Sequence, residues 1–137
     1  MIRNVVLGQM RTPADPTQAA ADSAQLDDAL AASTALGFPG QLSMHTGRDL
    51  GLREGGWDFA ITNDWADTEF YRAYDTDTEH NRLRDEMIAP ICAHIARVAG
   101  IPTPTSRWAP SPTPGQHAEP FPRGQHRRRA QKQLQPT

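Results

Sequence analysis

The clearest pattern in the sequence is an alternation over nine residues, Trp57-Asp58-Phe59-Ala60-Ile61-Thr62-Asn63-Asp64-Trp65. Large apolar residues recur at every second position, with one amide among them, and smaller or polar residues lie between them. A period of two residues is typical of a β-strand with one buried face. Gly55-Gly56 directly before the stretch marks a turn. The stretch therefore predicts a strand whose inner face carries Trp57, Phe59, Ile61 and Trp65.

Upstream of this strand the sequence predicts two more strands and a helix. Val5-Val6-Leu7 is the apolar centre of a short strand over residues 2–10. Asp15-Pro16-Thr17 offers a helix start with proline in the first turn, and an alanine-rich stretch follows it. This helix ends before Gly37, and alternating residues from Gln41 predict the next strand.

Downstream, Asp67-Thr68-Glu69 is typical of the start of a short helix that extends through Tyr74. A second helical stretch begins at about Thr78 and ends before Pro90. Residues 92–101 allow two interpretations, because they alternate like a strand but are also alanine-rich enough to continue as a kinked helix. We favour a strand, since the three strands before it need a fourth to complete a sheet.

These elements follow the order β-α-β-β-α-β, which is the ferredoxin-like arrangement of an α+β fold. The helices of such a fold cover one face of the sheet and leave the other face bare. Two copies that pack their bare faces together form a dimeric α+β barrel, so we expect a homodimer. A ligand pocket then lies either between each sheet and its own helices or inside the barrel.

Charge and proline divide the 137 residues into two regions. Residues 1–101 hold 8 basic and 15 acidic residues, whereas residues 102–137 hold 6 basic residues, 1 acidic residue and 8 of the 12 prolines. The second region has too few aliphatic residues to offset the entropy of ordering, so we expect a disordered tail. Residues 1–101 are enough for one domain with a single core.

The sequence also indicates where the protein works. Cys92 is the only cysteine, which fits a reducing compartment and excludes an intrachain disulfide. No apolar run is long enough for a signal peptide or a membrane span, so we expect a cytoplasmic protein without membrane contact. The run Arg127-Arg128-Arg129 is suited to phosphate contacts, but a solvated extension explains it as well, and we do not expect a nucleic-acid partner.

Several short motifs in order resemble the stress-responsive dimeric α/β-barrel (Dabb) family over residues 2–101. Arg3-Asn4-Val5-Val6-Leu7 is similar to the family's opening Arg-His-Val-Val-Leu. Phe38-Pro39-Gly40 is similar to the turn before its second strand, and Thr46-Gly47-Arg48-Asp49 to the strand end that follows. The most specific match is Tyr74-Asp75-Thr76-Asp77-Thr78-Glu79-His80, a tyrosine followed six residues later by a histidine.

The resemblance implies a function, because the Dabb family includes cofactor-independent polyketide cyclases. The histidine that matches His80 acts there as a base, and the tyrosine that matches Tyr74 assists it. On this basis we expect a cyclase or lyase that needs no cofactor and acts on an apolar, oxygenated, polyketide-like small molecule. The chain departs from the cyclase pattern at Asn4, where the family has histidine, and at Phe59, where cyclases can carry a second one.

The strands suggest which residues bind the substrate. Asn4 is in phase with Val6, so an amide that cannot titrate near pH 7 lies on the inner face of the first strand. The third strand offers an apolar wall, although such a stripe is equally typical of a core or a dimer interface. The predicted substrate-binding residues are Asn4, Val6, Phe59, Ile61 and Trp65. His45 and His94 lack the spacing of metal ligands, so no metal site is expected.

Two other functions stay open. In a non-catalytic stress-response or ligand-binding barrel, His80 and Tyr74 would only organise the entry to the second helical stretch. Haem-degrading and cofactor-free monooxygenases resemble this chain in fold, and the haem-degrading enzymes pair a strand asparagine with a helix histidine, as Asn4 and His80 do. Their helix tryptophan has no counterpart in Phe70-Tyr71-Arg72-Ala73-Tyr74, so this function ranks below the other two.

Overall fold

A computed structural model describes residues 1–102 of the chain. The expected disordered tail lies outside the described residues except for Pro102. The described part contains four strands, three α-helices and two short helical turns. In chain order they are β1 (Ile2–Met10), α1 (Pro16–Ala35), β2 (Gln41–Arg48), β3 (Phe59–Trp65), α2 (Thr68–Asp75), α3 (Thr78–Leu83), a π-helical turn (Arg84–Ile88), a 3-10 turn (Ala89–Ile91) and β4 (Cys92–Gly100).

The four strands form one antiparallel sheet in the order β2-β3-β1-β4. This arrangement confirms the ferredoxin-like α+β fold. It also shows that residues 92–100 are a strand, because Arg3 to Met10 of β1 pair with Gly100 to Cys92 of β4. The helix that precedes β4 stops at a 3-10 turn that carries Pro90, which cannot extend an α-helix.

Each α-helix begins after a residue whose side chain accepts hydrogen bonds from otherwise unpaired backbone N–H groups. Asp15 caps α1 through a 2.7 Å hydrogen bond from the Gln18 amide, as the Asp15-Pro16-Thr17 sequence predicts. The helices of residues 1–102 all pack on one face of the sheet. The core between the two layers consists of Leu26, Ala29, Leu30, Phe59, Ile61, Leu83, Ile88 and Ile91.

Gly8 of β1 makes room for an aromatic ring. It pairs with Phe59 of β3, and a Cβ atom at Gly8 would lie 2.0 Å from ring atoms of Phe59. A glycine inside a strand is often a sign of a β-bulge. The irregularity in the pairing of β1 with β4 falls one residue later, between Gln9 and Met10. Gly8 is therefore required by the close approach of the Phe59 ring.

The face of the sheet opposite the helices is bare in the part of the chain that the structure describes. We call it the outer face. It carries Val5 and Leu7 of β1, which alternate with the buried Asn4 and Gly8, and their β4 neighbour Val98, which is 70% exposed. Arg3 donates two 2.8 Å hydrogen bonds to the Asp64 carboxylate beside this apolar area. None of the described helices combines the length and the hydropathy needed to cross a membrane.

Replacing Gly8 with alanine tests the contact with Phe59. The ring is 2% exposed and cannot swing into solvent, so we expect Gly8→Ala to lower the free energy of unfolding by about 1–3 kcal/mol. Gly47→Ala is the matched control, because a Cβ at Gly47 meets no atom within 4 Å. Urea unfolding followed by circular dichroism measures both variants, and equal stability of the two would contradict the account.

Candidate functional site

A cavity lies between the helix-covered face of the sheet and the helices. Its empty volume is about 640 Å³ when the open mouth is included. β1 contributes Asn4 and Val6 to the floor, and the α2–α3 region contributes Tyr74 and His80. The remaining lining residues are Ser33, Leu36, Met44, Ile61, Tyr71, Asp75, Leu83, Arg84, Ile88, Ile95 and Arg97.

Two helix ends bring Tyr74 and His80 together. Tyr74 lies in the last turn of α2, and its carbonyl oxygen accepts a 3.1 Å hydrogen bond from the amide of Asp77. The side chain of Asp77 then caps α3 by accepting a 2.9 Å hydrogen bond from the amide of His80. The six-residue spacing between Tyr74 and His80 thus spans the end of α2, the turn after it and the start of α3.

The aromatic rings at this end of the cavity form a stack. The ring centroids of Tyr74 and His80 are 3.9 Å apart at an interplanar angle of 35°. On its other side Tyr74 packs against Trp65 of β3, with centroids 4.6 Å apart. Tyr74 and His80 therefore touch through their ring faces, and the phenol oxygen is hydrogen-bonded to Asn63 rather than to the imidazole.

Asn63 of β3 holds two members of this stack in place. Its Oδ1 accepts a 2.6 Å hydrogen bond from the Trp65 indole N–H, and its Nδ2 lies 3.4 Å from the Tyr74 hydroxyl oxygen as a donor. Asn63 is fully buried. Because the Tyr74 oxygen accepts from Asn63, its own proton is free for a ligand. The sequence contained a signal for this residue, since Asn63 is an amide within an otherwise apolar strand face.

Burial sets the protonation of the two candidate catalytic groups. Loss of solvent lowers the pKa of His80 from its ordinary value, and the charges of Arg84 and Arg97 act in the same direction, whereas Asp75 and Asp77 oppose it. Burial raises the pKa of Tyr74. At neutral pH the site accordingly holds a neutral imidazole that can accept a proton and a neutral phenol that can donate one.

Two polar atoms at the cavity lack protein partners within residues 1–102. They are Oδ1 of Asn4, on a residue that is 3% exposed, and Nδ1 of His80. A buried polar atom without a partner is costly, and a ligand that supplies the missing hydrogen bond removes that cost. Both atoms belong to residues that line the cavity.

The structure brings together most of the residues singled out in the sequence. Asn4, Val6, Ile61, Tyr74 and His80 all line the cavity. Phe59 and Trp65 are 2% and 0% exposed and do not line it. Phe59 lies over Gly8, and Trp65 is covered by Tyr74.

The other predicted features lie elsewhere. His45 and His94 are exposed and lie outside the cavity. Their strand partners, Thr62 and Gln9, point to the opposite face of the sheet from the cavity floor. In residues 1–102 no group of three His, Cys, Asp or Glu side chains is placed to hold a metal ion. Sequence reasoning missed two further lining residues, Arg84 at the cavity wall and Arg97 on the strand β4 beside the floor.

Solved structures share this architecture. A dimeric ferredoxin-like protein of unknown function from Thermobifida fusca YX is 27% identical, with a TM-score of 0.56, covering 72% of this chain and 88% of its own. A Dabb family protein from Mesorhizobium loti has a TM-score of 0.53 at 15% identity, covering 74% of this chain and 96% of its own. The chain shares the ferredoxin-like fold of this Dabb family protein.

An enzyme also shares this ferredoxin-like fold. The hydroxynitrile lyase of Passiflora edulis is 17% identical, with a TM-score of 0.54, and the match covers 76% of this chain and 94% of the lyase. At this identity the likeness concerns the fold alone. No protein-family model matches the chain, and no curated protein matches it.

The titration of His80 tests the electrostatics of the site. We expect the ring C–H resonances of His80 to titrate with a midpoint below the ordinary value of 6.5, and Arg84→Gln to raise that midpoint by removing a nearby positive charge. NMR of the imidazole resonances measures this, with His80→Gln identifying the signal. A midpoint at or above 6.5 would contradict the burial argument.

The same shift affects stability. Because the unfolded chain binds a proton at His80 at a higher pH than the folded chain, the free energy of unfolding decreases as the pH falls below 6.5 towards the folded pKa. This loss should be smaller in His80→Gln than in the wild type. His94→Gln, which changes an exposed histidine outside the cavity, is the control and should retain the wild-type loss.

Proposed function

We propose that the protein is a cofactor-independent enzyme, a cyclase or lyase, that removes a proton next to a carbonyl group of an apolar, polyketide-like small molecule. The observation that carries this proposal is the placement of His80, which is stacked on Tyr74 in the cavity wall and has an unpartnered Nδ1. A base needs its lone pair free and its pKa near or below the working pH. His80 meets both conditions.

The first step transfers a proton from substrate carbon to His80. The C–H bond next to the carbonyl breaks, a nitrogen of His80 gains the proton, and the electron pair moves onto the carbonyl oxygen to give an enolate. The Tyr74 hydroxyl donates a hydrogen bond to that oxygen, as a group that stabilises an oxyanion must. Asn63 supports the step by fixing the Tyr74 oxygen as an acceptor.

In a cyclisation the enolate carbon then attacks a second carbonyl of the same molecule. A carbon–carbon bond forms, and the oxygen of the attacked carbonyl takes the proton back from His80. Atoms balance without an oxidant or a cofactor. Much of the rate would come from holding a flexible chain in one reactive conformation, which is the role of the walls formed by Val6 and Ile61 together with the Asn4 amide.

We also propose that the protein works as a homodimer. The outer face supports this proposal, because it leaves Val5, Leu7 and Val98 without cover in the described residues. The protein from Thermobifida fusca, which is 27% identical, is dimeric. Two outer faces packed together would bury these side chains and leave each cavity with its own sheet and helices. The lone Cys92 is consistent with a cytoplasmic setting.

One observation favours a second candidate function, a ligand-binding barrel without catalysis. Tyr74 and His80 meet through their ring faces, and Asp77 caps the backbone of His80, so both residues also order the start of α3. A barrel of this kind would bind the same class of molecule in the same cavity but would not move a proton.

Hydrogen–deuterium exchange separates the two functions. Ethyl benzoylacetate is an apolar β-keto ester whose acidic C–H protons exchange in D₂O, and proton NMR follows their loss. We expect the wild-type protein to accelerate the exchange at pH 7, His80→Ala to slow it by about 100-fold or more, and Tyr74→Phe to slow it by about tenfold. His94→Ala is the control and should match the wild type.

The outcome assigns the role of His80. Exchange that persists unchanged in His80→Ala would show that another group is the base. Line broadening of the ester by a wild-type protein that leaves its exchange rate unaltered would support the non-catalytic barrel instead.

A further inference from the structure

Arg97 of β4 is a cavity residue whose charge has no partner in the described part of the chain. Within residues 1–102, five arginines form ion pairs with carboxylates: Arg3, Arg11, Arg48, Arg82 and Arg84. Arg97 forms neither an ion pair nor a side-chain hydrogen bond there, and it lines the cavity. A guanidinium carries several N–H donors in a planar fork that matches a carboxylate.

The strand register places Arg97 close to the centre of the site. Arg97 lies opposite Val6 of β1, and Asn4 lies opposite Ala99, so Arg97 and Asn4 are diagonal neighbours on the cavity floor. Diagonal neighbours in a sheet are about 7–8 Å apart. The charge of Arg97 also reaches the rings of the opposite wall, because it lowers the pKa of both Tyr74 and His80.

The other charged groups of the cavity leave Arg97 available. Arg84 is held by Asp85 through a 3.0 Å ion pair. Asp75 also lines the cavity, but no ion pair joins it to Arg97. With His80 neutral, the lining carries two positive charges and one negative charge. A wholly apolar ligand would gain nothing from this excess, whereas an anionic one would.

We propose that the natural ligand carries a carboxylate that binds Arg97 and, a few ångströms away, a hydroxyl or enol group that donates to Oδ1 of Asn4. The inference rests on the proposed function, because it extends the same cavity to a substrate class: an oxygenated, enolisable or phenolic carboxylic acid. The carbonyl portion of such a ligand lies beneath His80 and Tyr74. Arg97 then recognises the substrate and takes no part in the proton transfer.

A matched pair of probes tests the carboxylate site. 3-Hydroxy-2-naphthoate carries an acid beside a hydroxyl group, and its carboxamide has nearly the same shape without the charge. We expect calorimetry of the full chain to show about tenfold tighter binding of the acid. Raising the salt concentration should weaken the binding of the acid more than the binding of the amide.

Substitution of Arg97 identifies the residue responsible. Arg97→Gln should remove the preference for the acid and change the Kd of the amide by less than about twofold, whereas Arg97→Lys should keep part of the preference, because it retains the charge without the fork. Arg72→Gln is the control, since Arg72 is exposed on α2 and does not line the cavity. It should leave both affinities unchanged.

Three results would overturn the inference. If Arg97→Gln weakens the binding of both probes equally, Arg97 has a packing role. If the variant keeps the full preference for the acid, the carboxylate binds elsewhere, for example at Arg84. Slower exchange of neutral ethyl benzoylacetate by Arg97→Gln would show a catalytic role. If the acid preference depends on Arg97 but the wild type does not accelerate exchange, then the carboxylate site stands and the proposed catalysis fails.

Discussion

The cavity depends on the stack of Trp65, Tyr74 and His80, with Asn63 bonded to the first two. This contact joins the end of β3 to the turn between α2 and α3, so it closes one end of the space between sheet and helices. Each aromatic pair contributes about 0.5–1.5 kcal/mol beyond the burial of its area. Asn63 is fully buried, and an unpaired amide there would cost about 1–3 kcal/mol. The stack and its hydrogen bonds therefore support one another.

The burial that builds the stack also prepares its chemistry. Removal from water disfavours the charged form of each group, so it lowers the pKa of His80 and raises the pKa of Tyr74. Burial is thus the common cause of an imidazole that is unprotonated at neutral pH and a phenol that keeps its proton. Arg97 adds a positive charge on the opposite side of the cavity, where in our inference it binds the carboxylate of the substrate.

Local patterns predicted the strands and helices because each follows from neighbouring residues. β1 covers the predicted residues 2–10, since its apolar centre and the breaking residues after it lie within a few positions. Residues 92–100 were ambiguous because pairing with β1, a long-range contact, decides their conformation. The spacing of Tyr74 and His80 pointed to the site, but strand phase alone did not separate cavity from core. Phe59 fits over Gly8 and Trp65 lies behind Tyr74, and both placements depend on contacts between elements distant in sequence.

In our proposal two copies pair through their outer faces, and each keeps one cavity beneath its own helices. Native mass spectrometry of the full chain with 3-hydroxy-2-naphthoate measures subunit number and ligand number together. We expect a dimer that binds two molecules of the acid. A monomer would contradict the pairing of outer faces, and a dimer that binds one molecule would place the ligand between the two sheets.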